Sequence, residues 1–193
     1  MTLTIRNIVV NLVYYGLTVL LFPGILLSLE SSFGPTRHSL FGLRVGSAII
    51  AIVGMGLQLW CIVVFQSVGK GTPSPAFAPI KLVGQGPYAV IRNPMNLGEL
   101  MVLLALCAWF GSPLLLAYTM AAALAFHLFI VFWEEPRHLR RFGAQYVEYK
   151  RNVGRWWPTR QRAANGATGS PFRSKLDPAQ LVSSSQGLVY RPR

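Results

Sequence analysis

The chain has 193 residues, of which 52% are hydrophobic and only 12% charged, and it carries a formal net charge of +12. That is far more apolar than a soluble domain of this length requires, and it points to an integral membrane protein. The positive charge does not indicate nucleic acid: twelve of the 18 Lys and Arg residues follow Trp133, and Lys70, Lys81 and Arg92 share one polar loop, a distribution that sets topology and holds anionic lipid head groups.

Crossing roughly 30 Å of hydrocarbon takes about 20 helical residues. Four apolar segments approach or exceed this: 8–29, 45–65, 95–110 and 113–133. The first is longer than the core of a secretory signal and lacks a small-residue cleavage site, so it is expected to span. Around the second, Gly42, Gly46, Ala48, Ala51 and Gly54 form a small-residue face suited to close helix packing. Residues 66–93 form a loop whose Gly69, Gly71, Pro73, Pro75 and Pro79 preclude a continuous helix, and loops of this length are often functional. The third segment is short, and only Gly111 and Ser112 separate it from the fourth, which predicts a tight helical hairpin. Cys61 and Cys107 fall inside spans and are expected to be packing residues rather than a disulfide, a metal site or a nucleophile. Strands are not expected, because an open sheet edge cannot be satisfied in lipid and four strands cannot close a barrel. No internal repeat suggests inverted transporter halves.

Pro136 is well placed to open a further helix. Leu139, Phe142, Tyr146, Tyr149 and Val153 recur at spacings of three and four, with Arg137, Arg141, Glu148, Lys150 and Arg151 elsewhere. The pattern predicts one surface amphipathic helix ended by Gly154, with Trp156, Trp157 and Pro158 as interface anchors. From 161 onward Ala, Gly, Ser, Pro and Arg dominate without periodicity, which predicts a flexible tail. The expected fold is therefore an all-α polytopic membrane protein. One domain, 1–160, has about four spans, a cytoplasmic loop and a C-terminal amphipathic helix, and a basic tail covers 161–193. The positive-inside bias puts the loop and both termini on the cytoplasmic side.

The residues able to do chemistry gather at that side. Glu134 and Glu135 are adjacent carboxylates at the end of the fourth span, mutually repelled and costly to bury without a cation. One reading is a solvated helix boundary; the sharper one gives an ammonium or sulfonium ligand to one of them while the other orients its neighbours. His127, seven residues earlier, shares the face of Glu134, and Glu99 lies five residues into the third span. Either is a candidate base, although a lone His is more often a hydrogen-bonded packing residue. Gly84 and Gly86 allow close backbone approach to a ligand, and Arg92 brings a cation that can hold a carboxylate or phosphate.

Over 81–158 the chain resembles the isoprenylcysteine carboxyl methyltransferase and phospholipid N-methyltransferase superfamily of integral membrane enzymes. The pattern L-V-x-x-G-x-Y is similar to Leu82, Val83, Gly86 and Tyr88, and R-H-P-x-Y to Arg92, Asn93, Pro94 and Asn96. E-E, then F-G-x-x-Y-x-x-Y, then R-x-x-P resemble Glu134-Glu135, Phe142-Gly143, Tyr146, Tyr149, Arg155 and Pro158. Two departures stand out: Asn93 replaces a His and Asn96 a Tyr, and Asn carries no proton at neutral pH.

The resemblance implies S-adenosylmethionine as methyl donor, held by Leu82, Val83, Gly84, Gly86, Tyr88, Asn93, Pro94, Asn96, Glu134 and Glu135. Arg92, Asn93, Glu99 and His127 are expected at the reacting centre, Glu99 or His127 being read from position as the base that an amine acceptor would need, and Tyr146, Tyr149 and Arg155 are expected on the acceptor side. The expected acceptor is a lipid or lipid-like molecule, either a membrane amine or a prenylated carboxylate. No metal, nucleic acid or obligate protein partner is expected. The alternatives are an NADPH-dependent membrane reductase of the sterol reductase type and a non-catalytic membrane scaffold.

Overall fold

The computed structural model describes residues 13–32, 41–65, 67 and 82–159. Most of the glycine- and proline-rich loop, with Lys70 and Lys81, lies outside the described residues, as do Arg6, Arg37 and the tail from 161 onward.

The described chain is helical. Three helices are long and apolar enough to cross a membrane: α1, Val13–Ser32; α2, Phe41–Val64; and α4, Pro113–Phe142. A shorter apolar helix of 17 residues, α3, spans Pro94–Phe110, and α5, Ala144–Asn152, follows α4. Large apolar side chains such as Leu20, Ile52, Val63, Met120 and Phe132 point outward, which suits a lipid surround and not water. α1 carries Pro23, which offers no N–H to the carbonyl four residues earlier; a wide turn over Gly16–Leu21 lies directly ahead of it.

α2 packs chiefly on α3. Their backbones nearly touch at Gly54 and Gly98, where a Cβ on either residue would stand 2.7 Å from the other's carbonyl oxygen. Of the expected small-residue face, Gly54 makes that approach. Gly42 and Gly46 have no neighbour among the described residues within 4 Å of a would-be Cβ, because the crossing point lies in the second half of α2.

The α3–α4 hairpin is as tight as its two linking residues predict. Gly111 takes a left-handed conformation (φ 63°) and its N–H bonds the Cys107 carbonyl at 2.8 Å. Ser112 then caps α4, its hydroxyl oxygen accepting from the Leu115 N–H at 3.1 Å while its O–H donates to the Glu30 carboxylate of α1. Cys107 packs here against Thr119, with Sγ 3.2 Å from Oγ1, and Cys61 is buried beneath the loop. Both thiols are free.

The amphipathic helix differs from expectation in two ways. Pro136 does sit in the first turn of an α-helical segment, Glu135–Phe142, but that segment runs on from the rest of α4 without a break, through a wide turn at Ile130–Glu134. A proline near such a turn loses little, since the local N–H pattern is already shifted. Gly143, at φ 51° and ψ −126°, then breaks the helix and α5 begins in a new direction. The apolar stripe is consequently split. Tyr146, Tyr149 and Val153 are buried with Phe142 and Leu82 against them, whereas Leu139 is exposed.

Candidate functional site

The apolar part of α4, 113–133, is by itself about 30 Å long at 1.5 Å per residue, which matches the hydrocarbon thickness. Glu134 therefore stands at the end of that stretch, beside the loop 82–92 and the N-terminus of α3.

The loop follows a fixed path. Gly86, at φ 58°, opens a short 3₁₀ turn over Gly86–Ala89 with Pro87 in its second position. It lies so near α2 that a Cβ would come within 3.0 Å of Val64. Tyr88 is buried on Cys61, Val64 and Val83, with its ring edge-on to Phe65 at 5.0 Å. The last described residues lock this loop from the other side. The Arg92 N–H bonds the Gly154 carbonyl at 2.8 Å, Ile91 and Gly154 form a parallel bridge, and the Asn93 side chain donates to the Arg155 carbonyl at 3.2 Å. Tyr149 donates to the Tyr88 carbonyl at 2.7 Å, and a Cβ on Gly84 would meet its ring at 3.6 Å.

Glu135 ties these pieces together. Its Oε1 accepts from Arg92 Nη1 at 2.9 Å and Arg155 Nε at 2.7 Å, and Lys150 Nζ stands 2.9 Å from Oε2. Burial alone would raise the Glu135 carboxyl, but the hydrogen bonds from Arg155 and Lys150 and the charges of Arg92 and Arg155 outweigh it and hold the group at about 2. Glu134 is in the opposite situation: no described cation pairs with it. Burial, and then the charge of Glu135, push its carboxyl up to about 7. The two adjacent residues are chemically unlike, one satisfied by the protein and one waiting for a positive charge.

The expected site residues therefore divide. Leu82, Val83, Gly84, Gly86, Tyr88, Arg92, Asn93, Glu134, Glu135, Tyr146, Tyr149 and Arg155 converge, and Pro94 and Asn96 lie in the adjoining first turn of α3. Arg155 and Tyr149, expected on the acceptor side, are engaged with Glu135 and the Tyr88 carbonyl. Tyr146 is buried beneath them, its ring 5.3 Å from that of His138. His127 Nδ1 accepts a 3.2 Å hydrogen bond from the Trp156 indole, with the rings stacked, so this nitrogen's lone pair holds the C-terminal segment. Glu99 lies apart from the carboxylate pair, buried among α1, α2 and α3. Sequence reasoning missed Lys150 as a partner of Glu135; its place one turn before Gly154 was the available signal.

A family model described as phospholipid methyltransferase matches residues 40–145, more than half of the chain. The chain belongs to the phospholipid methyltransferase family. No curated protein matches it. The phospholipid methyltransferase match agrees with the superfamily resemblance of the loop and carboxylate motifs, and it makes the chain a member of a methyltransferase family. The matched stretch ends at 145, so Tyr149, Lys150, Gly154 and Arg155, which close the site, lie beyond it.

Their chemistry fits S-adenosylmethionine, which carries a sulfonium, an ammonium and a carboxylate. Glu134 offers an anion without a described protein cation. Arg92 Nε is buried without an acceptor among the described residues and can donate to a carboxylate. Gly84 and Gly86 keep side chains out of the way.

Proposed function

We propose that this protein transfers a methyl group from S-adenosylmethionine to a lipid or lipid-like acceptor at the cytoplasmic face of a membrane. Glu134 carries the proposal: a partly buried carboxylate beside three cations that are all paired with its neighbour. A sulfonium or ammonium placed against Glu134 removes the cost of ionising it there. Bound in this way, the donor supplies an electrophilic methyl group whose C–S bond breaks onto sulfur as the acceptor bond forms.

The protein's own part is alignment and exclusion of water. Glu135 holds Arg92 and Arg155 in place, Tyr149 fixes the loop through the Tyr88 carbonyl, and Trp156 packs on His127 of α4. The acceptor enters from the bilayer between helices, and the donor from water. Lys and Arg on both sides of the site support four spans with cytoplasmic ends.

Equilibrium binding of S-adenosylmethionine to the detergent-purified protein tests the reading, with NADPH and Glu134→Gln as comparisons. The expected result is saturable binding of the methyl donor alone, weakened at least tenfold by the substitution. Binding of NADPH in its place would indicate a reductase, and binding of neither by folded protein would indicate a scaffold.

A further inference from the structure

One ionisable side chain near Glu134 takes no part in the Glu135 hub. His138 lies four residues further along α4, and the chain is α-helical from Glu134 to Phe142. Residues at that spacing are neighbours on one helix face, about 5–6 Å apart at Cβ. The imidazole therefore stands one turn beyond the candidate donor carboxylate, on the side away from the apolar stretch. Two aromatic rings hold it: the buried Tyr146 of α5 at 5.3 Å and Phe142 at 5.9 Å. Tyr146 also feels the charges of Glu135 and Glu134, so His138 and both carboxylates surround one tyrosine.

His138 is half-buried, and no described residue hydrogen-bonds to either of its ring nitrogens. Its neutral form thus keeps a free lone pair. Burial, and then the charges of Arg137 and Arg141, lower its pKa from the ordinary 6.5 against the opposing pull of Glu135. Arg92 stands at Tyr146 as a further cation. An unprotonated imidazole with an open lone pair at neutral pH is suited to accept a proton. The two bases expected from the sequence are worse placed. His127 gives its Nδ1 lone pair to the Trp156 indole, and Glu99 lies apart, buried among α1, α2 and α3.

We propose that His138 is the catalytic base of this enzyme, taking the proton from the ammonium of an amine acceptor beside Glu134. This rests on the methyltransferase reading and adds a residue that neither the family match nor the ordered motifs assign. An ammonium must lose a proton before its nitrogen can be methylated. The N–H bond breaks, the proton passes to the free ring nitrogen of His138, and the electron pair stays on the amine. That pair forms the C–N bond to the methyl carbon while sulfur takes the C–S pair. The imidazolium then returns its proton to water.

The test uses the full-length protein in mixed micelles with S-adenosylmethionine and, as acceptors, phosphatidylethanolamine or N-acetyl-S-farnesylcysteine. His138→Gln should lower kcat on the amine about 100-fold at pH 7.5 while S-adenosylhomocysteine affinity stays within twofold. Wild-type kcat should fall tenfold per pH unit below a break under 6.5, and His138→Gln should lose that break; a structural role for His138 would leave it. A flat wild-type profile between pH 5 and 8 overturns the inference whether or not the variant folds. So does a folded variant with wild-type kcat, or one that keeps the break. Wild type that binds S-adenosylhomocysteine but does not methylate the amine also overturns it, since the farnesylcysteine carboxylate has no proton to lose. Failure of wild type to bind S-adenosylhomocysteine at all would instead sink the methyltransferase reading.

Discussion

Removing the charge of Glu135 should unfasten the C-terminal segment from the loop. In Glu135→Gln the amide keeps the size but leaves Arg92, whose side chain is 9% exposed, as an uncompensated buried cation. Breaking such a buried pair from one side costs about 3–5 kcal/mol. The Lys150 contact contributes little to this, because its side chain is 51% exposed and exposed pairs are worth about 0–1 kcal/mol. Taking about 3 kcal/mol as the loss, the unfolding midpoint in detergent should fall by roughly 6–12 °C, against about 4 °C or less for Lys150→Ala. Amide exchange at Arg92, whose N–H bonds the Gly154 carbonyl, should accelerate in parallel. A double variant, Arg92→Met with Glu135→Leu, should recover part of the loss, since it removes the most buried of the cations left unpaired, Arg155 and Lys150 being more exposed. If Lys150→Ala costs as much as Glu135→Gln, or the double variant is no better than either single one, the hub does not work this way. The pH dependence has a defined sign. The folded-state value of Glu135 lies below the ordinary 4.5, so its stabilisation is fully present above pH 4.5 and is lost as pH falls through about 2.

Glu134 gives a dependence of the same direction at higher pH, and it is read in ligand binding. Its carboxyl sits near 7 in the free protein, so a cationic donor should bind up to tenfold more weakly per pH unit below 7; titration calorimetry between pH 5.5 and 8 checks this, and a flat profile refutes it. Gly98→Ala would drive a Cβ to 2.7 Å from the Gly54 carbonyl and 2.8 Å from Gln58 Cγ and should cost about 1–3 kcal/mol. Gly56→Ala, with nothing within 4 Å, should be neutral or slightly stabilising in the same thermal assay. Ser112→Ala removes the cap of α4 and the Glu30 partner together. It should lower stability by about 1–2 kcal/mol, and Glu30→Gln should cost less, since the cap remains.

The helices and their hairpin were legible because hydrophobic runs and the Gly111-Ser112 link act locally. The ordered motifs also brought loop, carboxylates and C-terminal residues to one place. What could not be read was the division of labour between Glu134 and Glu135. It depends on which oxygen each distant cation reaches, and no spacing encodes that. The split at Gly143 was hidden for a related reason: the stripe keeps helical spacing across the break, and only tertiary packing of Tyr146 and Tyr149 under the loop selects the bent path. His127 shows the same limit. Its position on the face of Glu134 was apparent, but its bond to Trp156 joins residues 29 apart.

Because Arg92 and Asn93 are fastened by the main chain of Gly154 and Arg155, the loop is made well before the segment that fixes it. Asn93 and its partner Arg155 are 62 residues apart, and at typical synthesis speeds of about 5–20 residues per second the interval is roughly 3–12 s. During that time α3 and α4 are still being made and inserted, and the donor side of the site stays open until the last of it. A polypeptide stopped just short of Val153 would insert, pass as a membrane protein, and methylate nothing.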